Sequence, residues 1–156
     1  MTRIAISAIA ACMVLAGCSV NKPGRIETFV ATGFKHHVSV RGKKDRNPIP
    51  ATADAIKAGQ RNFSNYCYAC HGLDGQNTGV PFAERMSPPV PSLNSASVQS
   101  YTDGQLKWII ENGVSPSGMP ASKGILNDDE IWQIIHYIRH LPQKGSLGEP
   151  AAYSGK

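Results

Sequence analysis

The stretch Cys67-Tyr68-Ala69-Cys70-His71 constrains this chain more than any other. Two thiols stand three positions apart, and an imidazole follows at once. A structural zinc site would need a second ligand pair, and none follows. A thioredoxin-like redox pair would need a preceding strand in a βαβ setting, whereas the residues before Cys67 predict an amphipathic helix. The C-x-x-C-H order is instead the attachment pattern of a c-type haem. There the two thiols add across the vinyl groups as thioethers, the two intervening residues match the vinyl spacing, and the imidazole reaches the iron.

A fold built on such a group can be small. The chain has 156 residues, 41% of them hydrophobic, with eleven Pro and fifteen Gly. That is room for one loop-rich domain plus extensions. A core of this size is marginal on protein surface alone, so a covalent macrocycle would supply apolar mass as well as chemistry.

The remaining cysteines belong to the N-terminus. Met1-Thr2-Arg3 is a short basic opening, and Ile4 to Ala16 is an apolar run of thirteen residues. A membrane span needs about 20, so the run reads as the hydrophobic part of a signal peptide. It ends in Leu15-Ala16-Gly17-Cys18, which resembles the lipobox of bacterial lipoproteins. That resemblance implies cleavage before Cys18, lipid on its thiol and a tether outside the cytoplasm; the alternative is an ordinary signal followed by a coincidental cysteine. Cys12 leaves with the signal, and no disulfide is needed. The expected organisation is a lipoprotein signal at 1–17, a lipidated basic arm and linker at 18–51, a haem domain at 52–142 and a polar tail at 143–156.

Charge follows the same division. Residues 19–52 carry Lys22, Arg25, Lys35, Arg41, Lys43, Lys44 and Arg46 against Glu27 and Asp45, a net of +5, while residues 53–156 net −1. The basic excess therefore belongs to the arm. Such residues can hold anionic headgroups at about 1 kcal/mol each, steer an acidic partner, or keep a linker solvated. No nucleic-acid motif accompanies them, and secretion argues against that partner. Within the arm, 26–40 has no consistent period, and Pro48 and Pro50 make 41–50 an irregular linker.

From Thr52 the helical signals sharpen. Thr52 is an N-cap, Asp54 sits in the first turn, and Ile56, Gly59, Phe63 and Tyr66 form one stripe running into Cys67. A second helix is predicted from Thr102 or Asp103 to Asn112, with Leu106, Ile109 and Ile110 inward and Gly113 as a left-handed terminator. A third follows the cap Asn127 and the acidic turn Asp128-Asp129-Glu130, with Ile131, Ile134, Ile135 and Ile138 inward. His136, Arg139 and His140 place basic groups at its negative end, before Pro142. Between Gly72 and Leu93 the chain reads as a long Gly- and Pro-rich loop. Wrapping one edge of a haem would explain its length.

Residues 52–142 resemble class I cytochrome c, and more closely the single-haem modules found with bacterial haem–copper oxidases and dehydrogenases. The resemblance rests on Gly59 and Phe63, eight and four residues before Cys67; on Ile134 and Tyr137 in the last helix; on Pro91-Ser92-Leu93; and on Ser117-Gly118-Met119-Pro120. It implies an all-α cytochrome c fold of three to four short helices around one haem c, held through Cys67 and Cys70. His71 and Met119 would ligate the iron, and the Pro91 carbonyl in the Pro91–Leu93 step would accept from the His71 ring. Met86, His36, His37, His136 and His140 are the other candidates for the distal position. Met86 falls in the loop expected to wrap the proximal side and reads as packing. A nitrogen ligand in place of Met119 would lower the potential.

What the resemblance implies for function is one-electron transfer rather than catalysis, because two axial ligands leave no open iron position. The expected carrier is lipid-anchored on the periplasmic side of a bacterial membrane. Ser19 after Cys18 mildly favours the outer membrane. Its redox partners would be a quinol-oxidising complex, a dehydrogenase or a terminal oxidase. The alternatives are a fixed subunit of such a complex, or a peroxidase or gas-binding protein with a labile sixth ligand.

Overall fold

The computed structural model describes residues 44–115 and 117–155. The signal, Cys18 and the pair His36-His37 lie outside these residues. Among the described residues five helices form: α1 (Ala53–Tyr66), α2 (Tyr68–His71), α3 (Ala96–Gln99), α4 (Asp103–Asn112) and α5 (Asp128–Arg139). Among the described residues the only β pairings are isolated bridges, so the fold is all-α, as expected. The two single-turn helices, α2 and α3, are additions to the three predicted ones.

Local chemistry sets the helix starts. The Thr52 hydroxyl accepts from the Ala55 N–H at 3.1 Å. Thr102 with Gln105, and Asn127 with Glu130, each close a reciprocal capping box. The ends differ slightly from expectation. Gly113 has φ +68° but ψ −171°, so it terminates α4 outside the left-handed helical well.

α5 is the central element. Its expected stripe is buried, but so are Trp132, His136 and Tyr137. A helix covered nearly all round needs partners on several sides. α1 packs on one side and α4 on another. Residues 45–50 cover a third, with the Asn47 amide donating to the Trp132 carbonyl at 2.8 Å and His136 Nε2 to the Ile49 carbonyl at 2.6 Å. Pro48 and Pro50 do keep this segment irregular, yet it is docked.

The α1–α5 crossing is close because of Gly59. A Cβ there would run into the Gln133 carbonyl and lie 3.1 Å from the Ile134 N. Phe63 enters the same interface, buried with Ile131, Ile134 and Ile135. The α1 stripe is narrower than predicted: Ala55, Gly59 and Phe63 are buried, Ile56 is half-buried, and Tyr66, the last residue of α1, is 55% exposed. On α4, Leu106 and Ile110 are buried and Ile109 half-buried.

Arg139 ties three helices together. It donates to Asp103 Oδ1 from Nε at 3.0 Å and from Nη2 at 2.9 Å, and to the Gln99 carbonyl from Nη1 at 2.9 Å. The loop 72–95 is held from within by Asp74, which has no accessible surface. Its Oδ2 accepts from the Thr78 hydroxyl at 2.5 Å and the Gly145 N–H at 2.8 Å, and its Oδ1 from the Gln76 N–H at 2.9 Å. Three charge-assisted bonds of this kind stabilise a buried carboxylate.

Candidate functional site

The site begins where α1 stops. The Cys67 N–H bonds to the Phe63 carbonyl at 2.9 Å, and the chain continues helically, with His71 N–H on the Cys67 carbonyl at 3.0 Å. Cys67 and Cys70 thus sit about one helical turn apart, both half-buried and neither in a disulfide. Gly72 (φ +71°) then redirects the chain. A Cβ there would meet the Thr78 N at 2.8 Å, so glycine is required to leave the turn.

Burial, and secondarily the neighbouring Cys70, push the Cys67 thiol up to about 12. A reactive redox cysteine needs the opposite shift. Cys67 is held as a neutral thiol, the group that vinyl addition consumes.

The His71 ring is pushed down to about 4, chiefly by burial, while the Pro91 carbonyl works in the opposite direction. The imidazole is therefore neutral at physiological pH, the form that binds a metal. Nδ1 is buried and has no partner at hydrogen-bond geometry. Phe63 flanks the ring with centroids 6.4 Å apart, and Tyr137 packs on Phe63 at 5.1 Å. The Tyr137 hydroxyl donates to the Leu73 carbonyl at 2.8 Å, fixing the chain just after the imidazole. Leu93 is buried in the core, and its N–H bonds to the Gly75 carbonyl at 2.8 Å.

Met119 lies half-buried against the core in the loop between α4 and α5. The Val114 N–H donates to its carbonyl at 3.0 Å, and the Ser117 hydroxyl to the Val114 carbonyl at 2.7 Å. A depression of about 370 Å³ opens beside it, lined by Asn112, Val114, Ser115, Gly118, Met119 and Pro120. Met86 reaches the same loop. Its Cε lies 3.4 Å from where a Gly118 Cβ would stand, so the loop after His71 extends to the segment carrying Met119. Of the other histidine candidates, the two among the described residues are otherwise occupied: His136 is buried on Ile49, and His140 Nδ1 donates to the His136 carbonyl at 2.8 Å.

This donor set can be tested against a cofactor. Among the described residues no three His, Cys, Asp or Glu side chains converge on one point. Two unpaired thiols on one turn, followed by a neutral imidazole set against the Pro91 carbonyl, fit a covalently attached haem.

Two residues important to this region carried little signal. Asp74-Gly75 reads only as a turn, because the Gly145 N–H that completes the carboxylate's shell lies 71 positions away. Tyr153, in the tail, donates to the Ala69 carbonyl at 3.0 Å, 84 positions back.

Comparison with known proteins points the same way. The family described as cytochrome C oxidase, cbb3-type, subunit III matches residues 54–138, more than half of the chain. The quinohemoprotein alcohol dehydrogenase ADH IIB of Pseudomonas putida is 26% identical over 132 residues, which cover 78% of this chain but only 18% of that protein. The chain thus spans less than a fifth of that relative's length. Cytochrome c6 of Gracilaria tenuistipitata var. liui is 28% identical over 90 residues, 58% of this chain and 76% of that one.

Proposed function

Because the chain belongs to the family of cytochrome C oxidase, cbb3-type, subunit III, with a covalently bound c-type haem as its cofactor, we propose that it is a membrane-tethered single-electron carrier. The observation that carries this reading is the turn Cys67–His71, where two unpaired half-buried thiols precede a buried neutral imidazole. When bound, the haem supplies a one-electron couple. Cys67 and Cys70 would hold it covalently, His71 and Met119 would ligate the iron, and the Pro91 carbonyl would orient the His71 ring. A Met/His pair raises the potential. With both ligands in place there would be no position for substrate. Phe63, Leu93 and Tyr137 keep water from the imidazole side, which limits solvent rearrangement as charge changes.

On this reading Cys18 carries lipid and anchors the protein on the periplasmic face, with 18–51 as a basic arm. Among the described residues no helix is long and apolar enough to cross a membrane. Electrons would pass between a quinol-oxidising complex or dehydrogenase and a terminal oxidase. A fixed-subunit role is the second reading, supported by the oxidase subunit in the family's description and by the dehydrogenase relative. Co-migration with a large complex after gentle detergent extraction selects it over free shuttling.

The ligand assignment is tested with Met119→Ala and Met86→Leu in the haem-loaded protein. Met119→Ala is expected to lose the long-wavelength Met–iron charge-transfer band, lower the potential and admit carbon monoxide, while Met86→Leu keeps all three properties. The reverse pattern would make Met86 the ligand. Cys18→Ser is expected to move the protein into the soluble extracytoplasmic fraction; continued membrane attachment would place the anchor elsewhere.

A further inference from the structure

We propose that residues 143–155, which follow α5 and lie outside the family match, form an intramolecular clasp on the haem-attachment turn, with Tyr153 as the positioning residue that tunes it. The proposal rests on the reading of Cys67–His71 as the haem site.

α2 is a single turn, so its last carbonyls find no partner within the helix. Two are met nearby: the Tyr68 carbonyl accepts from the Gly72 N–H at 2.9 Å, and the His71 carbonyl from the Asn77 N–H at 2.8 Å. Ala69, which stands between the two cysteines, is met from the far end of the chain by the Tyr153 hydroxyl at 3.0 Å. Nothing local would put a donor there.

The Tyr153 ring is held for this task. It meets Phe82 edge-on, with centroids 5.8 Å apart and planes at 85°, a favoured aromatic geometry. Its backbone is anchored through the Tyr153 and Ser154 N–H groups on the carbonyl of Pro150, itself fully buried. Two further ties hold the segment down. The Gly145 N–H bonds to Asp74 Oδ2, and the Glu149 stem lies on Gly79, where a Cβ would come within 2.6 Å of the Glu149 Cβ.

The electrostatic consequence has one sign. A hydroxyl donor on the Ala69 carbonyl offsets the negative end of that dipole beside the attachment turn. This disfavours the more positive, oxidised state of a group attached there, so the clasp raises the reduction potential. A tail that only packed would leave the potential unchanged when the hydroxyl alone was removed.

The experiment uses the full-length haem-loaded chain with Tyr153→Phe, which keeps the ring, and Tyr153→Ala, which removes it. Three quantities are measured: haem mass on the protein, reduction potential, and amide hydrogen exchange at Cys70–Gly72. Tyr153→Phe is expected to shift the potential to a more negative value and speed exchange at the turn about fivefold, the loss of one net hydrogen bond. Tyr153→Ala should move both further. A Phe variant with wild-type potential and exchange overturns the proposal, even if Tyr153→Ala is destabilised, since packing alone would then suffice. A wild-type chain that gains no haem mass overturns the underlying haem reading instead, so the two failures are told apart.

Discussion

At Gly113 the chain leaves α4 with φ +68° and ψ −171°, and the loop bearing Met119 folds back against it. A Cβ at this position would come within 2.5 Å of the Met119 carbonyl oxygen and 2.8 Å of the Ala121 nitrogen. Both obstacles are backbone, so neither can rotate aside. Gly113→Ala therefore combines a strained dihedral, costing about 1–3 kcal/mol, with displacement of the segment that presents the thioether. If Met119 is the distal ligand, this substitution should weaken the Met–iron charge-transfer band and lower the potential without touching the thioether itself. Absorption and redox titration of the variant check it; an intact band with a lowered melting temperature would confine Gly113 to a folding role. The same scale explains why the thiols and the imidazole are ready for attachment. Burial keeps Cys67 protonated and His71 neutral, so neither charge has to be removed before a covalent or coordinate bond forms.

Between elements, the decisive approach is α1 on α5 at Gly59. The neighbouring obstacle is again backbone, the Gln133 carbonyl, so Gly59→Ala must push the helices apart and loosen the packing of Phe63 on Tyr137. A loss of about 3 kcal/mol is expected, in line with overpacking of a tight core. Thermal unfolding measures it, and a variant within about 0.5 kcal/mol of wild type would show that the crossing has slack. Gly59 also shows what could be read without coordinates. Its place on the stripe with Phe63 signals a close helix partner, and the caps Thr52, Thr102 and Asn127 are local enough to set the starts of α1, α4 and α5 within a residue or so. Burial that depends on distant chain leaves no such local mark. Tyr66 follows the α1 period but falls beyond the last covered turn, at 55% exposure. Trp132 and His136 lie off the expected α5 stripe and are buried because residues 45–50 dock there through Asn47 and Ile49. α3 is four residues long, too short for any period to register.

For the molecule as a whole, Asp74 joins what the helices do not. Its carboxylate links the loop after His71 to the segment after α5, through Gln76, Thr78 and Gly145. Burial by itself would raise its pKa, but the donors from Gly145, Thr78 and Gln76 outweigh it and hold the group below the ordinary 3.8. The folded state therefore binds this proton less readily than the unfolded chain. Stability rises with pH wherever the unfolded state holds more protons. The Asp74 contribution is accordingly fully present well above the unfolded pKa of 3.8, declines as the pH falls toward and below it, and is gone once the pH passes below the folded pKa. Asp74→Asn removes the charge while keeping the shape, and it leaves one of the three donors facing an amide N–H. At neutral pH the variant should unfold about 1–3 kcal/mol more easily, whereas near pH 2.5 the gap to wild type should narrow. Melting curves across that range test the sign: a constant difference would mean that Asp74 acts by shape alone. Because Gly145 belongs to the segment carrying Tyr153, acid should also release the tail from the haem-attachment turn. Lower amide protection at Cys70–Gly72, measured against the intrinsic exchange rate at each pH, in wild type as the pH falls through this window, absent in Asp74→Asn, would show loop, tail and attachment turn responding as one unit.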